Sequence, residues 1–325
     1  PADLRQLVVD LEGDERFVEV VRALSRGESA TVDGAWGSAC ALALAGISRQ
    51  RPSALVVVVP RVGDVEALAA DMGAFAHAPP LVFPAWETLP DEHDTSDPVF
   101  TARLRVLSAL ERAANPPVLV TSIAALMQPV PSRAQREAST RRFVTGEETD
   151  PEKLLEWLVA RGLEPTTAVA LPGEFSRHGG IIDIFAPDAV EPVRLEFFGD
   201  EIDSIRTFDA ESQRQLAVCE EIELCLVEPT RDGTTTEAEL LTESLPEGTW
   251  VGLVELADLK REGEEVRERL ERREGLVTVE EVLRGLIEFP SVVVEALSAA
   301  SMETTCHLAV ESIERFGGPR TRVLE

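Results

Sequence analysis

The chain has 325 residues, 44% apolar and 28% charged, enough for two or three soluble domains with sizeable cores. Its formal charge of −28 repels phosphate backbones, which argues against direct duplex binding and favours basic protein partners. No apolar run approaches the roughly 18–20 residues of a membrane span and no signal-like start is present, so a cytoplasmic location is expected. The start at Pro1 and the stop at Glu325 read as the ends of an excised segment.

Helix and strand alternate at first. Leu4, Leu7, Val8 and Leu11 share a helical face, ATV (30–32) is a short strand, and Ser38 to Ile47 is a buried, Ala-rich helix. ALVVVVP (54–60) is a continuous apolar strand of the kind buried on both faces. Val65, Leu68, Met72 and Phe75 step by three and four, as do Phe100, Leu104, Leu107 and Leu110, so two amphipathic helices are expected. With further strands at PLVFPAW (80–86) and PPVLVTS (116–122), the series predicts a parallel sheet covered on both faces.

QPVPSRAQREASTRR (128–142) reads as a polar, solvated connection with four arginines. Asp150 caps a helix that opens at Pro151, carries Leu154, Leu155, Leu158 and Val159 on one side, and stops at Gly162. A β-rich stretch follows in TTAVAL (166–171), GEFSRHGGIIDIFAP (173–187) and EPVRLEFFGDEIDSIRTFDAES (191–212), with Gly199-Asp200 as a hairpin turn. α/β character resumes in TWVGLVEL (249–256), PSVVVEAL (290–297) and TCHLAVESI (305–313). Between them lies a charged helix from Leu259 to Glu274, with Glu265/Arg269 and Glu268/Arg272 at i, i+4. The layout is one α/β domain in two parts, 1–127 and 217–325, interrupted by an inserted α+β domain at 128–216.

VDGAWGSACALAL (32–44) occupies the place of a phosphate-binding loop, after a strand and before a helix. Such a loop needs a Lys for the β- and γ-phosphates and a hydroxyl for Mg²⁺. Beyond Gly34, the residues Ala39, Cys40 and Ala41 stand where Gly, Lys and Ser/Thr are required, so the loop is degenerate and no cofactor is expected. DEHD (91–94) imitates the acidic box of helicase motors, but Pro90 precedes it and no strand runs into it; it reads as an exposed acidic loop around His93. There is no G-x-S-x-G, and Asp183, on an apolar strand, needs a partner from Arg177, Arg194 or His178. The four cysteines form no C-x-x-C, and a strand would point Cys306 and His307 to opposite faces, so no metal site is expected. On its chemistry the chain is not an enzyme.

Four blocks then carry a resemblance. FPAWETLPDE (83–92), PVLVTSIAALM (117–127), GEFSRHGGIIDIF (173–185) and RLEFFGDEIDSIRTFDAESQR (194–214) resemble, in order and spacing, the N-terminal part of bacterial transcription-repair coupling factors. More distantly they resemble UvrB, a component of excinuclease ABC. The likeness covers most of residues 30 to 230 and is weak over the last hundred. It implies a RecA-like domain of the degenerate P-loop NTPase type, split by an inserted domain, whose phosphate loop is intact in UvrB and lost here. It also implies a non-catalytic docking role: recruiting UvrA, another component of excinuclease ABC, to lesions where RNA polymerase has stalled. ATP hydrolysis and the contacts with polymerase and DNA would lie in domains outside this chain, and later domains of such proteins can mask the docking surface. That surface uses an Arg just before the Gly of the GEF block, an Arg preceding the LEFF block, and the second Phe of that block. The last two fall on Arg194 and Phe198. The first falls on His178, a departure, with Arg177 one residue earlier and facing the other side of a regular strand. The alternative is a remnant ATPase or helicase of the UvrB type that still binds nucleotide or DNA.

Overall fold

The computed structural model describes residues 4–76, 78–86, 95–113, 116–227, 238–269, 275–297 and 304–310; the DEHD stretch lies outside them. Strands β1 (Ala30–Asp33), β2 (Leu55–Val59), β3 (Leu81–Phe83) and β4 (Val118–Ser122) come first. β5 (Val130–Pro131) and β6 (Thr140–Val144) lead into β7 (Glu164–Pro165), β8 (Glu174–His178), β9 (Ile181–Ile184), β10 (Val193–Phe198), β11 (Glu201–Phe208) and β12 (Gln215–Cys219). After them come β13 (Glu221–Cys225), β14 (Ala238–Glu239), β15 (Trp250–Val254), β16 (Ser291–Val294) and β17 (Thr305–His307).

Seven strands form one parallel sheet in the order β17-β1-β16-β15-β2-β4-β3, so segments distant in sequence interleave within it. The run of valines in β2 suits its interior place between β15 and β4, where both faces are covered. Val56 and Val58 pack with Phe100, Leu104, Leu107, Leu259 and Val282, whereas Leu55, Val57 and Val59 pack with Phe17, Leu44 and Met72. Strand alternation sends each set to its own face, and each fully buried side chain contributes about 1.5–3 kcal/mol. Helices Glu15–Ser25, Ser38–Gln50 and Val65–Phe75 cover one face; Pro98–Arg112, Leu256–Arg269 and Val279–Leu286 cover the other.

A second, six-stranded sheet in the order β12-β11-β10-β9-β8-β7 is antiparallel except between β7 and β8. Its inner face, with Ile182, Ile184, Leu195 and Ile205, packs on Leu154, Trp157 and Leu158 of helix Pro151–Ala160. The pair β6–β13 adds Phe143 and Leu224 to the same core. β12 runs through the boundary placed at 216 in the sequence, and Leu226 still belongs to this core.

Several expectations change in detail. Of the first helical face only Val8 is buried, and Leu4 and Leu7 are exposed. TTAVAL forms no strand; instead its Val169 is buried with Phe185 and Phe208 in a small cluster. The arginine-rich stretch 128–142 is a solvated crossing only in part: Arg133, Arg141 and Arg142 are exposed, but the segment is structured and one arginine is inside. It holds β5, a capping-box helix Arg133–Ala138 and β6, and Arg136 is buried, paired with Glu111 at 2.5 Å and donating to the Pro131 carbonyl. The Glu111 carboxylate, far off in sequence and invisible in a local reading, allows the cation inside. Arg269 pairs with Glu262 rather than with the Glu265 carboxylate, Arg272 lies outside the described residues, and TCHLAVESI contributes only Thr305–His307 as strand.

Helix Pro98–Arg112 fastens the two sheets to each other. Arg105 Nε donates to the Ala189 carbonyl at 2.9 Å, and Ser108 Oγ donates to Asp188 Oδ2 at 2.7 Å. Arg112 stands 3.6 Å from the same carboxylate. Desolvation raises the pKa of buried Asp188, against the lowering effects of the Ser108 bond and Arg112. A carboxyl raised in the folded state holds its proton better there, so its contribution to stability falls as pH rises through the folded value. Relative to Asp188→Asn, which does not titrate, the parent should therefore gain stability as pH is lowered from neutral toward the ordinary carboxyl range. Urea midpoints measured against pH check this; a difference that is flat or of opposite slope would contradict it.

Candidate functional site

The outer face of the six-stranded sheet collects most of the residues singled out in the sequence. Directly opposed residues in a sheet share a face. The register aligns Asp183 with Arg194 and Arg206, and His178 with Ile181 and Glu196. Along β10, alternation turns Val193, Leu195 and Phe197 toward the core and Arg194, Glu196 and Phe198 outward. Phe198 is 83% exposed and sits at the mouth of the Gly199-Asp200 turn, where Gly199 has φ 66°, a conformation open to glycine. A second two-residue turn, Gly179-Gly180, lies at the same end of the sheet and places His178 there too.

Arg177 is opposed to buried Ile182 and so belongs to the inner side, where its guanidinium donates to Glu152 at 2.6 Å. His178, Arg194 and Phe198 thus share the outer face, and Arg177 does not. The His178 Nε2–H is committed to the Thr167 carbonyl at 2.7 Å, which ties the 166–171 segment to the sheet. Arg194 is the partner that Asp183 required. Its Nε and Nη2 donate to the two carboxylate oxygens at 2.7 and 2.8 Å, and its guanidinium stacks 4.8 Å from the Phe208 ring. The hydrogen bonds to Asp183 raise the pKa of Arg194 above its usual value. Beside it Arg206 pairs with Glu196 at 3.0 Å. The charges within each of these two pairs cancel, and the exposed aromatic stands at one end of the face, opposed to Glu201. The sequence reading missed the Arg206–Glu196 pair and the Phe208 stack, because both depend on strand register.

The loop after β1 has other employment. Gly34 has φ 71°, and a Cβ there would lie 2.3 Å from the Leu308 carbonyl, so this glycine serves a close approach of two chain segments. The backbone N–H of Ala35 donates to the Glu295 carbonyl, Ala39 to Trp36 and Cys40 to Gly37. Asp33, Glu255 and Glu295 follow or end the neighbouring strands β1, β15 and β16, setting carboxylates where phosphates would have to approach. Burial first, and then the charge of Glu255, push the Cys40 thiol up to about 12. No nucleotide binding is expected: ATP at ~1 mM should leave the melting temperature unchanged, whereas a site with a Kd of ~10 μM would add about 2.7 kcal/mol. A saturable upward shift would restore the nucleotide reading. Among the described residues no group of three or more His, Cys, Asp or Glu is placed to hold a metal ion. No helix among them is long and apolar enough to cross a membrane.

Residues 142–228, which contain this face, match the UvrB interaction domain. The chain is also 34% identical over 265 residues to the transcription-repair-coupling factor of Myxococcus xanthus, covering 77% of this chain and 22% of that protein. It is 38% identical over 190 residues to the same factor of Mycobacterium bovis (55% and 15%) and 28% identical over 215 residues to that of Escherichia coli (66% and 18%). The resemblance carried by the four sequence blocks is borne out, and the chain spans about a fifth or less of the length of these relatives.

Proposed function

We propose that the chain is a non-catalytic docking module of transcription-coupled DNA repair. In this reading a RecA-like domain with a vacated phosphate loop carries an inserted domain, and that domain binds the UvrA component of excinuclease ABC where RNA polymerase has stalled. Polymerase and DNA would be engaged by other domains of the longer protein. The observation that supports it best is Phe198, 83% exposed on the outer sheet face within the residues that match the UvrB interaction domain. A large exposed aromatic on the sheet face that also carries Arg194, four residues earlier on the same strand, is the kind of residue that anchors a binding hot spot. Its removal leaves the core untouched, since Phe197 packs inward.

Calorimetric titration against purified UvrA tests the reading. The parent should bind, and Phe198→Ala should bind roughly 10- to 100-fold more weakly, about 1.4–2.7 kcal/mol, with unchanged unfolding. Parent-like affinity of the variant would move the contact off this face, and no binding by the folded parent would remove the partner.

A further inference from the structure

The outer face does not stop at Arg194. Its cross-strand row continues through Arg206 to Val218 on β12, 68% exposed, with Leu216 exposed nearby. Val218 is two strands from Arg194, roughly 10 Å at ordinary strand spacing, so a partner that covers one can reach the other.

The two edges of this sheet are built differently. β7 is two residues long and carries Pro165, both common protections of a sheet edge. β12 has five residues, QLAVC, with neither Pro nor charge, and Gln215 to Val218 are all exposed. A strand in that position offers outward-facing main-chain donors and acceptors to an added strand. A second copy is a poor occupant, because it would bring together two chains of charge −28. At the ends of the strand Glu211 and Glu220 outnumber Arg214, and all three are exposed. Basic residues are what that field attracts.

We propose that an extended, basic segment of the docking partner adds to β12 as a seventh strand. Its apolar side chains pack beside Leu216 and Val218, while another part of the same partner covers Phe198. This rests on the docking reading above and extends it from a patch to a sheet edge.

The test titrates purified UvrA with the parent, Phe198→Ala, and the double variant Leu216→Lys/Val218→Lys, after urea unfolding shows that each is folded. Both changes in the double variant are at exposed positions, and lysine on an edge opposes strand addition. Binding by the double variant should weaken at least 10-fold, and amide hydrogen exchange at residues 215–219 should slow at least 10-fold in the parent complex. Parent-like affinity of the double variant with unprotected β12 amides, while Phe198→Ala still weakens binding, overturns strand addition and leaves the docking reading standing. Failure of the folded parent to bind overturns both. A dimer of the free chain in sedimentation that the double variant abolishes would overturn it in favour of a second copy.

Discussion

Arg103→Ala should be among the most damaging single substitutions in the chain, lowering stability by about 4 kcal/mol or more. Arg103 lies inside helix Pro98–Arg112 and is buried, with no carboxylate partner among the described residues. Its Nη1 donates to the Pro84 and Ala125 carbonyls and to Gln128 Oε1, and its Nη2 donates to the Gln128 and Pro129 carbonyls. Phe83 and Trp86 stack on it at 4.2 and 4.7 Å. Burial pushes its pKa down to about 9, so it remains charged at neutral pH. Alanine would strand several buried acceptors, each costing about 1–3 kcal/mol, and open a void between two aromatics. Arg103→Lys should recover only part of the loss, because an ammonium cannot span the fork. Urea midpoints with an unchanged m-value read both effects; a loss under about 1 kcal/mol for alanine would contradict the assignment.

Arg194→Ala should also act on the fold before it acts on any partner. Removing the guanidinium leaves Asp183, buried in the sheet, without the pair it makes at 2.7 and 2.8 Å, and uncovers Phe208. Breaking a buried pair from one side typically costs about 3–5 kcal/mol, and the partial exposure of Arg194 places the expectation near the lower end. The double variant Asp183→Asn/Arg194→Gln removes both charges and should regain most of that loss. Thermal or urea unfolding of the single and double variants decides: a single variant as stable as the parent would mean that Arg194 is held in reserve for a partner. Binding measured on the double variant then separates the guanidinium's direct contact from its support of the sheet.

The large sheet was legible because its strands are short apolar runs between strongly periodic helices, as in ALVVVVP and in Phe100, Leu104, Leu107 and Leu110. Even Arg103 left a trace, since it shares the helical face of Phe100, Leu104 and Leu107. The buried Arg136 left none, because its carboxylate comes from Glu111, twenty-five residues earlier and on another helix. At the outer face, the alternation in LEFF requires only that one of Phe197 and Phe198 turn inward; the resemblance singled out Phe198, and in the structure Phe197 is the one that packs on the core. The identity of Asp183's partner stayed open among three residues until register was known, since the choice between Arg177 and Arg194 turns on which side of a strand each occupies. The two-residue turn at Gly179-Gly180 settles Arg177 on the inner side. TTAVAL failed as a strand although its β-branched residues favour one: Val169 is held in a local cluster on the outer face instead.

The interleaving of the seven-stranded sheet also fixes the order in which the molecule can be completed. Ser29, just before β1, bonds across 262 residues to Ser291 at the start of β16, and β1's other neighbour, β17, comes later still. At about 5–20 residues per second on a ribosome, β1 waits roughly 13–50 s for that neighbour. Every strand of the six-stranded sheet, by contrast, has been synthesised by Cys219, before β15 begins. The nascent chain would therefore display its exposed face and open edge on a finished small unit while the platform beneath it is still half built, and any shortened version ending before β16 would leave β1 and β15 with apolar flanks in water.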